Sequence, residues 1–179
     1  SSDGGELWKT DGSAAGVVRI KDFGPAHPSG ASDPVTLGGM LYFISSTSQG
    51  RELWKSDGTA AGTIVIKHFN VGFRDQSLSN MTVAGDAIFF AANDLVHGVE
   101  LWKTDGSSAG TELVEDILPG ANGSFIERMV SVDDKLFFSA YDGTSIPKLR
   151  MTNDAAQGTV VVAEIAAGGS NVWIDEDMT

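Results

Sequence analysis

ELWKTDG stands at residues 6–12, ELWKSDG at 52–58 and ELWKTDG again at 100–106. The glutamate of the phrase moves from Glu6 to Glu52 and then to Glu100, steps of 46 and 48 residues. Self-similarity at a period of roughly 40–50 residues belongs to blade repeats and to two-helix solenoid repeats. The segments between the phrases therefore decide between strand and helix.

MLYFIS (40–45), AIFFAA (87–92) and KLFFSA (135–140) occupy equivalent places in the period. Each is a short aromatic-rich run, apolar on both alternate faces, which describes a strand buried on two sides. VTL, MTVA and MVSV precede them through Gly38-Gly39, Gly85-Asp86 and Asp133-Asp134. Two residues that tolerate positive φ between β-type runs signal a tight hairpin. After the phrase come GVVRIKDF, GTIVIKHF, GTELVEDI and GTVVVAEI, β-branched and again strand-like. A fourth copy of the phrase, 48 residues beyond Glu100, falls on KLRMTND. It reads as decayed in its first half and retained in the AAQGTVVVAE that follows.

Each unit thus holds four short strands, at roughly 34–37, 40–45, 51–56 and 63–68 in the best-preserved copy. Such a unit is apolar on both faces and must stack on neighbours. The expected fold is all-β: a β-propeller of about four repeats of roughly 48 residues, each of four antiparallel strands. A β-solenoid or an open fragment of a larger propeller is the alternative. One domain is expected over 1–179, with repeats at approximately 1–31, 32–78, 79–126 and 127–174. The first begins at its third strand. Residues 172–178 are placed to add a strand beside 6–12 and close a ring, although a longer propeller cut at both ends explains the same boundaries.

The repeats resemble the ELWxxDGT family, found in tandem in large secreted or surface-exposed bacterial proteins. Glu6, Leu7, Trp8, Asp11 and Gly12 fit the pattern, as do residues 52–54 and 57–59, and 100–102 with 105 and 106. AAGT at 60–63 and SAGT at 108–111 fit its extension. Ser13 and Ser107 depart at the threonine position, and Arg150 and Asn153 replace the tryptophan and aspartate of the fourth copy. The resemblance implies repeat architecture and a secreted or cell-surface location, and no common chemistry.

Composition narrows the partners. The formal charge is −12, from 12 Lys plus Arg against 24 Asp plus Glu. A nucleic-acid backbone or an anionic membrane would be repelled, whereas cations, neutral saccharides and basic proteins suit it. With no cysteine and with His27, His68 and His97 far apart, thiolate and histidine metal centres are unexpected. No apolar run reaches the roughly 18–20 residues of a membrane span. The amino terminus does not read as a signal peptide. It reads as the interior of a longer chain.

Trp8, Trp54 and Trp102 are the candidate ligand platforms, one per repeat, stacking on sugar rings in the manner of a multivalent lectin. The competing and preferred reading is packing between units. Asp11, Asp57 and Asp105 are candidate calcium ligands. One carboxylate per loop is few for an ion that takes six to eight oxygens, so an Asx-type turn is preferred and no cofactor is expected. A strand places Glu and Lys three apart on opposite faces, so within a copy they do not pair and instead reach neighbouring strands or units. Acid pairs at Asp133-Asp134 and Asp175-Glu176-Asp177 are the thin case for a polysaccharide-degrading enzyme. Nucleophile-elbow and phosphate-loop motifs are absent. Asn80 and Asn122 match a glycosylation acceptor pattern that is common by chance.

The expectation is a non-catalytic extracellular module for binding or adhesion, to carbohydrate or a surface component. A structural repeat that self-associates is the alternative, and an enzyme the weaker one. Loops vary most among copies at 24–33, 70–79 and 118–126 and at 46–50, 93–98 and 141–146, which marks one end of the fold as the ligand surface.

Overall fold

A computed structural model of the chain describes residues 4–26, 30–47, 50–69, 78–152 and 158–164. Within them the chain is all-β, apart from one 3-10 turn at Ala14–Gly16. The strands are β1 (Glu6–Lys9), β2 (Val18–Asp22), β3 (Ala31–Leu37), β4 (Met40–Thr47), β5 (Gly50–Ser56), β6 (Ile64–Phe69) and β7 (Leu78–Ala84). They continue as β8 (Ala87–Asn93), β9 (Val99–Thr104), β10 (Glu112–Glu115), β11 (Glu127–Val132), β12 (Lys135–Ala140), β13 (Lys148–Thr152) and β14 (Val160–Glu164). Four antiparallel sheets follow one another along the chain: β1-β2, then β3 to β6, β7 to β10 and β11 to β14, each in sequence order. The ring-closing strand exchange expected at 172–178 lies outside the described residues.

The sheets stack face to face, β3 lying against β7 and β7 against β11 and β12. Strand alternation explains how the aromatic runs serve two neighbours at once. In β4, Phe43 packs towards the first sheet with Phe23 and Trp54, while Tyr42 and Ile44 join the core shared with the third. In β8, Ile88, Phe90 and Ala92 face back into that core, and Phe89 and Ala91 face forward against Leu136, Phe138 and Ala140 of β12. The ELW strands do the same: Leu53 and Leu101 face forward, Trp54 and Trp102 backward.

Hairpins between first and second strands turn where the sequence places them, with Gly38 and Gly39 at φ 58° and 78° and Asp133 at φ 53°. The first strands run longer than the sequence suggests because each carries a bulge, between Ser32 and Val35, Ser79 and Thr82, and Glu127 and Val130. At each bulge one residue is left-handed: Asp33 at φ 49°, Asn80 at φ 60° and Arg128 at φ 54°. Pro34 occupies the first bulge, where a missing N–H breaks no ladder bond.

Lysines fasten the first sheet to the second and the second to the third. Lys9 Nζ donates to Gly58 O at 2.9 Å and Lys55 Nζ to Gly106 O at 2.7 Å. From the fourth strands, Lys21 Nζ reaches Thr63 O at 3.1 Å and Lys67 Nζ reaches Thr111 O at 3.3 Å. These two lysines also lie over the next sheet's indole, Lys21 at 5.3 Å from Trp54 and Lys67 at 5.0 Å from Trp102, within cation–π range.

The fourth repeat corrects the reading of decay. Lys21, Lys67 and Glu115 hold the same register place, opposite Leu7, Leu53 and Leu101. Where Arg150 stands for the tryptophan, Glu115 stands for the lysine, and Arg150 Nη2 donates to Glu115 Oε1 at 2.9 Å. Glu115 Oε2 accepts from Thr159 N at 2.8 Å and Thr159 Oγ1 at 2.6 Å. The threonine contact is thereby kept with its polarity inverted, since the lysines donate where the glutamate accepts. The junction is an exchange of one complementary pair for another.

Candidate functional site

The three tryptophans sit in unlike surroundings. Trp54 and Trp102 are each 6 % exposed and Trp8 is 51 % exposed. Trp54 lies between Phe23, edge-on at 5.2 Å, and Phe43, stacked at 6.1 Å. Trp102 has Phe69 edge-on at 5.3 Å. A sugar ring needs an open indole face, and of the three only Trp8 presents one. Each glutamate of the phrase shares a face with its tryptophan two residues on, a pairing that strand period allows and that spacing by three obscures. Trp8 Nε1 donates to Glu6 Oε2 at 3.0 Å and Trp54 Nε1 to Glu52 Oε2 at 2.9 Å.

Asp11, Asp57 and Asp105 serve their own turns. Asp11 Oδ1 accepts from Ser13 N at 2.9 Å and Ser13 Oγ at 2.7 Å. Asp57 Oδ1 accepts from Thr59 N at 2.8 Å and Thr59 Oγ1 at 2.7 Å, and Asp105 Oδ1 from Ser107 N at 2.8 Å. The hydroxyls then receive the amides of Gly16, Gly62 and Gly110. Those glycines are set by space: a Cβ on Gly62 would lie 2.1 Å from Asp57 Oδ1, and one on Gly110 2.3 Å from the Asp105 carboxylate. Hydrogen bonds from the residue two along hold all three carboxyls below the usual aspartate value. Among the described residues no three metal-binding side chains converge. Asp133 and Asp134 are exposed in the β11–β12 turn, and Asp175, Glu176 and Asp177 lie outside the described residues.

Among the described residues, two cavities open between the third and fourth sheets, at opposite ends. One, of about 520 Å³, is bordered by Asp86, Phe89, Lys103, Asp105, Glu112 and Asp134, with Lys103 paired to Glu112 at 3.0 Å. The other, of about 610 Å³, lies at the end carrying the variable loops 93–98 and 118–126. Its polar lining is Ser79, Asn80, Asn93, Asn122, Glu127 and Arg128, and Phe125 stands beside them. Both volumes fall within the range of small-molecule sites.

The second groove is built from special backbone. Asn80 and Arg128 enter it from the bulges of β7 and β11, and Asn80 Nδ2 donates to Ile126 O at 3.5 Å across the sheets. Phe125 is left-handed at φ 50° and 62 % exposed, with its ring edge-on to Tyr141 at 6.1 Å. A bulky residue at positive φ is an outlier, and residues held in that way cluster at functional sites. The loops meet at glycines: a Cβ on Gly98 would lie 2.4 Å from Gly123 N, and one on Gly123 2.3 Å from Val99 N. Ser124 N donates to Val99 O at 2.9 Å and Tyr141 N to Ser124 O at 2.8 Å. On the neighbouring loop, Asp94 Oδ1 accepts from Val96 N and His97 N, both at 2.9 Å, and Asp94 Oδ2 lies 2.7 Å from His97 Nδ1. That contact raises the His97 pKa.

Sequence reasoning pointed to these loops by their variation but singled out neither Phe125 nor Arg128. Glu127 and Asn93 were missed as well. Only the left-handed backbone marks Phe125 and Arg128, and no residue-type signal announces it.

Scans against family models and against curated proteins give no match. Among solved structures the chain is similar to a crystal structure of a nidogen/laminin complex, with a TM-score of 0.53 and 10 % identity over 90 % of this chain. It is also similar to TolB from Acinetobacter baumannii, with a TM-score of 0.53 and 13 % identity over 90 % of this chain. The chain spans 59 % and 38 % of the length of those two chains. The fold class is thus all-β and propeller-like.

Proposed function

We propose that the chain is a run of β-propeller blades acting as a non-catalytic binding module of a secreted or surface-exposed bacterial protein. Its ligand class is carbohydrate. The observation that carries the reading is the groove between the third and fourth sheets, where an exposed Phe125 stands among the amides of Asn80, Asn93 and Asn122 and the charges of Glu127 and Arg128. A saccharide offers one apolar ring face and a rim of hydroxyls, and this lining supplies an aromatic for the first and donors and acceptors for the second. The surplus of negative charge in the chain favours neutral over acidic oligosaccharides. The repeat resemblance supports the location.

The test is titration calorimetry of the whole chain against neutral oligosaccharides such as cellopentaose and maltopentaose, after an array screen. Phe125→Ala is expected to weaken binding about tenfold or more, since a central aromatic contact is worth at least about 1.4 kcal/mol. Undiminished affinity in Phe125→Ala, or no array signal, overturns the reading. Assembly is the second reading, favoured by the half-exposed Val160, Val161 and Val162 of the outer strand β14. Concentration-dependent sedimentation without glycan binding would select it.

A further inference from the structure

We infer that Glu100 is the positioning residue of this groove: withdrawn from the tryptophan that its counterparts serve, its carboxylate holds the 117–124 loop where it presents Asn122 and Phe125. The inference rests on the binding reading for its consequence and on the fold alone for its geometry. Glu6, Glu52 and Glu100 occupy the same place in three copies of one phrase. The first two accept the indole N–H two residues on, whereas Trp102 Nε1 is buried with no hydrogen-bond partner among the described residues.

The Glu100 side chain has turned to the loop. Its Oε1 accepts from Leu118 N at 3.1 Å, and its Oε2 accepts from Ile117 N at 3.1 Å and from Ser124 Oγ at 2.7 Å. One carboxylate thereby fixes both ends of the stretch that contains Asn122 and leads into Phe125. The residue is fully buried. A buried donor that loses its acceptor is destabilised more than a satisfied pair is stabilised, so orphaning Trp102 Nε1 has a cost that the three loop bonds offset. The charges facing Glu100 are Asp116, between β10 and the loop, and His97, held by Asp94 on the 94–98 loop. Burial and Asp116 work against ionisation while the three donors favour it. Both oxygens meet backbone N–H groups. A neutral amide offers one oxygen and sets its own N–H₂ against the other amide.

Glu100→Gln in the whole chain is therefore expected to release Ile117 and Leu118, read as a roughly tenfold or greater loss of amide hydrogen-exchange protection at those two residues. Glu52→Gln is the matched control, because an amide oxygen still accepts from Trp54 Nε1, and it should leave the loop unchanged. Should Glu100→Gln fail to fold, Ser124→Ala removes the shortest of the three bonds and is read at the same amides. Affinity for the oligosaccharide that binds the parent should fall with loop protection, at unchanged stoichiometry. Unchanged protection at Ile117 and Leu118 overturns the inference, as does a loss spread evenly over β7 to β9, or a released loop with undiminished affinity. Loss of loop protection in Glu100→Gln, together with a parent chain that binds no saccharide, supports the role of Glu100 in the loop and overturns the function proposed for the groove.

Discussion

The junction between the third and fourth sheets can be rewritten in the language of the other two. Glu115→Lys alone brings an ammonium against Arg150, whose side chain is 8 % exposed, and removes the acceptor of Thr159 N and Oγ1. Breaking one partner of a buried pair costs about 3–5 kcal/mol. Glu115 is 31 % exposed, so solvent screening lowers this to about 2–3 kcal/mol. Arg150→Trp alone leaves Glu115 without its cation but keeps the bonds from Thr159, so about 1–2 kcal/mol is expected. The double variant recreates the lysine over indole seen for Lys21 and Lys67, a contact worth about 0.5–2 kcal/mol. Because the double variant also lacks the ammonium–guanidinium contact of the first single variant and the unpaired carboxylate of the second, its loss should fall short of the sum of the single losses by at least about 1.5 kcal/mol. Urea denaturation followed by circular dichroism gives the four free energies. Additivity within about 0.5 kcal/mol would refute the exchange, because independent positions add to that precision.

Further outcomes follow from the turns and tryptophans. Gly62→Ala and Gly110→Ala should each destabilise by about 1–3 kcal/mol, because the new methyl displaces the Asp57 or Asp105 carboxylate from its turn, as melting will read. Asp11, Asp57 and Asp105 are depressed in the fold, so the stability they lend is present above the ordinary aspartate value. It is lost as pH falls through their lower folded values, and carboxyl NMR titration should find all three below about 3.8. Trp54→Ala should cost about 3–5 kcal/mol and Trp8→Ala much less, measured as denaturation midpoints. Since the three turn aspartates are satisfied locally, a chelator should leave the melting temperature unmoved, and a shift of several degrees would reopen a calcium site.

The period and the strand order were legible because the chain repeats its words. MLYFIS and its counterparts are apolar on both faces, and the observed two-sided packing of Phe43 against Tyr42 and Ile44 is what that pattern demands. The fourth repeat was misread because its compensation lies in another repeat: Arg150 makes sense only beside Glu115, 35 residues earlier. Bulges hid for a different reason. Asp33, Asn80 and Arg128 adopt a glycine-like conformation inside runs that otherwise read as plain strand, and although Asp and Asn tolerate positive φ, Arg128 gives no sign of it. Glu100 is indistinguishable from Glu52 in local sequence, and only the loop ahead of β11 turns its side chain to another task.

The bulges of β3, β7 and β11 set how far the side chains at three positions can vary without disturbing the sheets. The backbone offers the same left-handed socket at the same offset in three successive sheets and fills it with an acid, an amide and a cation. A side chain there is aimed by the bulge rather than by its own preference, at a strain of about 1–2 kcal/mol that the sheet already bears. Exchange of one polar head for another therefore leaves the ladder untouched. Under the function proposed for the groove that Asn80 and Arg128 line, the polar head at such a position is a fixed peg whose chemistry can change while the core stays constant.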